Sequence, residues 1–281
     1  MKRWMKKFTA VVATAAMVCS VGMPAFAAEE NTTVVLSEYE YISELAQEST
    51  EQLSEEGYSA EMIEQIKDYK AVYVEHINGL MELDDNALEN LGYSAEQIET
   101  IRTFDGSEEQ MASLSAQLNL TASCENFRYD GNLTRGRLNY SWSWAGVPGF
   151  KTQDMVAVSW NDWYVENDMG WVDYYAQNTG AYHTSTFPKY TNNGNGMTGA
   201  GHKIDMTMDD NYYYAKQGHG YFDVRSDVHA QKDFYYHIEY GHSELWPTIS
   251  FSVSLKGGFD GSISFSSRVN PVAKKTGNYL F

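Results

Sequence analysis

Apolar residues recur along this chain with two different periods. From about residue 37 to residue 118 they are spaced by three and four, the repeat of an amphipathic helix. From residue 119 onward they alternate with polar residues, the repeat of a half-buried strand. In the first part Ile63, Ile66, Tyr69, Tyr73, Ile77 and Leu80 form one stripe. That stripe predicts a helix after Ser59 that stops or bends at Asn78 and Gly79. An earlier helix is expected over residues 37–56, with Tyr39, Ile42, Ala46 and Leu53 on one side, and a last one over residues 108–118.

The helix punctuation repeats after 35 residues: Leu53, Gly57, Tyr58, Ser59, Ile63 and Ile66 return as Leu88, Gly92, Tyr93, Ser94, Ile98 and Ile101. Gly57 and Gly92 suit the left-handed residue that closes a helix. Ser59 and Ser94 then cap the next one, with Glu61 and Glu96 near its positive end and Gln97 completing a capping box. Tyr58 and Tyr93 stand one residue before each cap, at the right spacing to pack on Ile63 and Ile98. Two copies are too few for a solenoid, so the expectation is a small bundle of short helices.

In the second part five runs alternate apolar with polar residues. They are Leu138, Tyr140, Trp142 and Trp144; Val156, Val158 and Trp160; Ile204, Met206 and Met208; Phe234, Tyr236, Ile238 and Tyr240; and Ile249, Phe251, Val253 and Leu255. Ile263 and Phe265 close the series. Many short strands with one polar face point to antiparallel sheets packed against each other. The fold class expected is therefore α+β in two domains, a small helical bundle over residues 28–118 and an antiparallel β-sandwich over residues 119–281.

The segment over residues 83–106, with Leu91, Gly92, Tyr93, Ser94, Glu96, Gln97 and Ile98 at its centre, resembles one found in secreted, uncharacterised proteins of Gram-positive bacteria. In those proteins, too, a Tyr- and Trp-rich β region follows. The resemblance implies that the two parts occur together, and it carries no activity with it.

Charge and the N-terminus narrow the setting. Lys2, Arg3, Lys6 and Lys7 precede a short apolar run, and Ala25, Phe26 and Ala27 offer small residues for cleavage, so residues 1–27 read as a secretory signal peptide. The mature chain is expected to be secreted and to carry no transmembrane segment. The formal net charge is −18, and residues 28–118 hold 22 acids against only Lys67, Lys70 and Arg102. Such a field disfavours nucleic acid as a partner. Cys124 is the one cysteine beyond the signal peptide, so no intramolecular disulfide is expected. No cofactor is expected either.

The candidate chemistry is sparse. His237 and Glu239 share a strand face, and a bulge at Gly241 would turn His242 toward them, a set able to ligate zinc; His219 and His229 lie upstream. Asp162, Glu166, Asp168 and Asp173 lie close to Trp160, Trp163 and Trp171 and admit a glycoside hydrolase reading. Asx clusters at 161–162, 166–168 and 209–211 suit either Ca²⁺ or turns. Residues 192–201 form a glycine-rich loop without phosphate-loop character. The aromatic surplus is the leading signal. Trp163, Trp171, Tyr174 and Tyr213 are the candidates for a surface that stacks on an extracellular or cell-surface ligand, a glycan first among them. A membrane-active secreted protein with a helical pro-region is the alternative.

Overall fold

Serine and aspartate side chains set the starts of five of the helices. The structure, a computed structural model, describes residues 37–130, 132–192, 198–227, 233–243, 250–256, 260–265 and 270–280. The expected signal peptide, His229, Trp246, Ile249 and residues 193–197 of the glycine-rich loop lie outside these. The helices are α1 (Glu38–Leu45), α2 (Thr50–Glu55), α3 (Ala60–Lys67), α4 (Tyr69–Met81), α5 (Asp85–Leu91), α6 (Ala95–Arg102) and α7 (Glu108–Leu114). Ser37, Ser49, Ser59, Asp84 and Ser94 each accept a backbone N–H from the first turn, satisfying a donor that the helix itself cannot. Ser37, Ser49 and Ser94 do so in reciprocal capping boxes with Glu40, Gln52 and Gln97.

The 35-residue repeat is visible in the backbone. Gly57 and Gly92 take φ of 85° and 97°, and the Tyr58 and Tyr93 amides donate back to Leu53 O and Leu88 O at 3.0 and 3.1 Å. Two expected helices are each divided. The stretch over 37–56 breaks at residues 46–49 because Ser49 caps a new helix, α2. The long stripe breaks at Asp68, whose amide closes α3 on Glu64 O while its carbonyl accepts from Ala71 and Val72 to open α4. Gly79 lies inside α4, where it faces open space, and the helix runs on to Met81.

The strands are β1 (Gln117–Asp130), β2 (Leu133–Ala145), β3 (Gln153–Trp160), β4 (Tyr164–Ala176), β5 (Tyr182–Thr186), β6 (Lys189–Asn192) and β7 (Gly199–Asp205). They continue with β8 (Thr207–Met208), β9 (Tyr213–Ser226), β10 (Asp233–His242), β11 (Phe251–Lys256), β12 (Asp260–Phe265) and β13 (Asn270–Leu280). One antiparallel sheet, here sheet A, runs β1-β2-β9-β4-β5 with β8 added to β9; sheet B runs β13-β10-β3-β7-β6. Their inner faces meet in a core that holds Leu138, Tyr140, Trp142, Trp144, Val156, Val158, Trp160, Phe222, Phe234, Ile238 and Tyr240. Gly218 and Gly220 make room for the broad rings, since a Cβ there would lie 2.7 Å from Trp142 and 2.5 Å from Tyr140.

The β11–β12 hairpin is not part of either sheet. It lies on the outer face of sheet B, with Ile263, Phe251 and Phe265 packed on Met155 and Ala157. Gly199 and Gly201 face Val253 and Phe251 there, which lets the hairpin approach closely. Sheet B is thus covered on both sides. The outer face of sheet A has no such cover among the described residues.

The helices sit on one end of the sandwich, where β2 ends and β9 begins. Val147, Phe150 and Tyr214 are buried in the helical core rather than in that of the sheets. Backbone bonds cross as well: Gly146 N donates to Leu91 O at 3.2 Å, and Val147 N donates to Tyr93 Oη at 3.1 Å.

Candidate functional site

Alternation along β4 and β9 decides which groups reach solvent. Val172, Tyr174 and Ala176 point into the core, so Trp171, Asp173 and Tyr175 point outward; on β9 Gly218, Gly220 and Phe222 point in, and Gln217, His219, Tyr221 and Asp223 point out. The pairing Trp171↔His219 and Asp173↔Gln217 sets these side by side, with Ser185 of β5 opposite Asp173. Trp171 and His219 are stacked, with ring centroids 4.9 Å apart and planes 18° from parallel. Phe187 stands beside Trp171 at 6.3 Å and is 69% exposed. Next to the rings, Asp173 accepts from Gln217 Nε2 at 2.9 Å and from Ser185 Oγ at 2.5 Å, and Ser185 meets Tyr182 Oη at 3.0 Å. Tyr182 is itself 58% exposed. The result is an apolar platform bordered by fixed hydroxyl, amide and carboxylate groups.

Of the four aromatic candidates, the structure places Trp171 on this face. Tyr213 is half-buried at the helix-proximal end, stacked on His183 at 3.8 Å. Trp163 and Tyr174 have no surface to offer a ligand. Trp163 is fully buried between Phe127 and Phe234 and donates from Nε1 to Asp233 O, and Tyr174 points inward with its hydroxyl on Asp205 O. Tyr174 is a core residue because β4 turns that parity toward sheet B, and Trp163, in the connection between β3 and β4, folds into the same core.

The three proposed metal ligands do not converge. His237 Nε2 and Glu239 Oε1 do meet, at 2.5 Å, on the outer face of sheet B. His242 remains in phase with Tyr240 on the inner face, because the extra residue lies on β13, where Tyr240 pairs with Ala273 but Gly241 pairs with Pro271. Among the described residues no group of three His, Cys, Asp or Glu side chains is arranged to hold a metal ion. His242 is instead fully buried between Asp154 and Glu38, with Nδ1 2.8 Å from one carboxylate and Nε2 3.2 Å from the other. Tyr73 Oη and the Gly149 and Phe150 amides also donate to Glu38, at 2.7, 2.8 and 2.7 Å. Burial would raise the pKa of this carboxyl, but His242, the Phe150 amide and Tyr73 together hold it below the usual range.

The four acids considered for glycoside hydrolysis are engaged separately. Asp162 occupies a turn with φ 39°, Glu166 pairs with Arg135, Asp168 accepts from the buried His202, and Asp173 belongs to the Gln217–Ser185 network. Asp168 and Asp173 point to opposite faces of β4. The residues at 209–211 are consecutive left-handed residues, which is turn chemistry. Cys124 is half-buried, and burial pushes its thiol up to about 12, far from a reactive thiolate.

Sequence reasoning missed Phe187, Gln217 and Ser185, and named His219 only for metal. A signal was present: Asp173 lies between Trp171 and Tyr175, and a charge at that parity marks the outward face.

No protein-family model matches the sequence, and no curated protein matches it. Among solved structures, the chain has some likeness to a pore-forming protein (7% identity, TM-score 0.29, over 58% of this chain and 90% of that one). A collagen-binding domain from a Staphylococcus aureus adhesin gives 11% identity and a TM-score of 0.28, over 56% and 95% of the two chains. The KRT10-binding region domain of a pneumococcal serine-rich repeat protein gives 9% and 0.19, over 44% and 87%. Scores this low carry no argument about this chain.

Proposed function

We propose that this is a secreted binding protein that holds an extracellular or cell-surface glycan on the open face of sheet A. The reading rests on the Trp171–His219 stack with the exposed Phe187 beside it, fixed next to the Asp173–Gln217–Ser185 network. Sugars present apolar C–H faces that lie on aromatic rings, and hydroxyls that need donors and acceptors in set positions. The face offers both, with Trp171, His219, Asp173, Gln217 and Ser185 held on strands, so little ordering entropy is lost there on binding. The protein acts by binding and not by turnover. Its acidic helices serve as a base that closes one end of the sandwich and keeps the molecule soluble.

The test is a glycan array and polysaccharide pull-down with the mature protein, alongside Trp171→Ala and Phe187→Ala. Binding that both substitutions abolish supports the reading. Silence across a broad array, or binding indifferent to both, rejects it.

A further inference from the structure

At the end of sheet A remote from the helices, β1 carries an extra residue. Cross-strand pairing runs Glu125↔Arg137 and then jumps to Arg128↔Arg135, with Asn126 left-handed at φ 57°. The bulge reverses the phase of the rest of the strand. Phe127 turns inward, its ring so close over Gly136 that a Cβ there would lie 2.4 Å away, and packs on Trp163, Phe234 and Tyr279. Arg128 turns outward. It then stands in one register row with Arg135 and Arg225, three arginines directly opposite one another on adjacent strands.

Like charges so placed repel, and the sheet answers with carboxylates for two of them. Arg135 forks onto Glu166 at 2.8 and 3.2 Å and also pairs with Asp130, while Arg225 lies near Glu166 and Asp227 at 3.9 and 3.6 Å. In the next row Arg137 forks onto Asp223 at 2.6 and 2.9 Å and lies 3.7 Å over the Tyr221 ring. The Arg128 side chain makes no hydrogen bond or ion pair among the described residues and is exposed. It lines a cavity of about 220 Å³ together with Asn126, Arg137, Glu166 and Asn167.

We propose that this cavity receives an anionic group of the bound glycan, a carboxylate or a sulfate, with Arg128 as its counter-ion. This deepens the glycan reading and rests on it. The forked pairs hold Arg135 and Arg137 rigid without using all their donors, and Arg128 supplies the one charge of the arginine row left without a partner among the described residues. The cavity lies along β9 from the platform: His219 and Asp223 are four residues apart, about 13 Å at strand rise. A single oligosaccharide can therefore reach both. The dense negative charge of the helices lies at the other end of the sandwich, beyond a Debye length of about 10 Å, so it does not repel an anion here.

The experiment is calorimetric titration of the mature protein with three oligosaccharides of equal length: uronate-containing, sulfated and neutral. Arg128→Gln and Trp171→Ala are run in parallel, each checked for fold by circular dichroism. The Arg128 side chain is exposed, so its replacement by glutamine is expected to leave the fold intact. The expected result is that Arg128→Gln weakens one anionic ligand by ~10-fold, about 1.4 kcal/mol, and leaves the neutral one unchanged. Which anionic ligand responds identifies the group. If Arg128→Gln changes nothing while Trp171→Ala abolishes binding, the cavity proposal fails and the glycan reading stands. If only free glucuronate or sulfate binds, in an Arg128-dependent way, the glycan reading fails and the anion site stands. If nothing binds, both fall.

Discussion

Glu38 and His242 stand 204 residues apart in the sequence and meet at 3.2 Å with neither side chain exposed to solvent. One belongs to the first described helix, the other to the end of a core strand. Asp154 meets the second ring nitrogen of His242, so one imidazole held between two carboxylates joins helices to sheets. The Tyr73 hydroxyl and the Gly149 and Phe150 amides complete the set around Glu38. Removing one member of a buried, fully bonded ion set leaves the others unpaired, so Glu38→Gln should destabilise by about 3–5 kcal/mol in urea unfolding. A glutamine would also set its NH2 against either the Gly149 or the Phe150 donor, since these two amides bond different oxygens of Glu38.

The same carboxyl predicts an acid limb of defined sign. Its folded pKa is lowered, so the unfolded chain binds the proton more readily. The stability it contributes is complete above the ordinary glutamate value of about 4.3 and is lost as pH falls through the lower folded value. Urea midpoints should therefore fall below about pH 5. Glu38→Gln should be less stable at neutral pH and show a shallower acid limb. Parallel limbs for both proteins would reject this assignment.

The two neighbouring candidates Trp163 and Trp171 should separate cleanly. Trp163→Ala empties a core site and should cost about 3–5 kcal/mol, measured by thermal unfolding. Trp171→Ala removes a ring from the outer face of sheet A and should change stability by less than about 1 kcal/mol while removing glycan binding. A Trp163→Ala protein as stable as its parent would show that this ring lies outside the core.

How much of this was legible from the chain depends on distance. Caps and closing glycines act within a few residues, so Ser59, Ser94, Gly57 and Gly92 announced themselves. Leu138 to Trp144 and Phe234 to Tyr240 alternate so plainly that their inward faces followed at once. The phase of β4 was harder: Trp171 and Tyr174 both read as ligand-facing rings, yet they stand at opposite parity, and only the partners of the strand decide which one faces out. The bulge at Asn126 was invisible, since nothing local distinguishes Phe127 turned inward from Phe127 turned outward. Only Gly136, on another strand, makes the space. The meeting of His242 with Glu38 was beyond reach for the same reason, and a local bulge at Gly241 was inferred in its place. Phe251 and Val253 alternate as a sandwich strand does, yet belong to a hairpin on the outside of sheet B; period alone does not say which sheet a strand joins.

Two glycines should respond to alanine in opposite directions. Gly136→Ala drives a methyl into the Phe127 ring and should cost about 1–3 kcal/mol, an effect that shrinks when Phe127 is also replaced by alanine. Gly79 lies within α4 and faces open space, so Gly79→Ala should stabilise by about 0.5–1 kcal/mol through helix propensity alone. Chemical denaturation of both variants and of the double mutant is sufficient. Equal effects in sign would contradict the packing of Phe127 over Gly136.

Lys151 gives the opposite pH dependence from Glu38. Burial pulls its amine down to about 8, with Glu38 only partly opposing, while Nζ donates to Pro148 O at 2.7 Å. Its unfolded value is near 10.5. Between those two values the unfolded chain holds the proton that the folded chain has released, so stability from this group rises with pH across that window. At neutral pH the folded protein carries a charge in a place that disfavours it. Lys151→Met, which keeps the stem and removes the charge, should therefore be more stable than the parent at neutral pH. The advantage should shrink as pH rises from about 8 toward 10. Tyrosines such as Tyr93 and Tyr214, whose hydroxyls burial pushes upward, titrate above that range and are common to both proteins, so they cancel in the difference. Urea midpoints of the pair measured at intervals across the window decide it: a constant difference, or one that grows with pH, contradicts the burial of the amine.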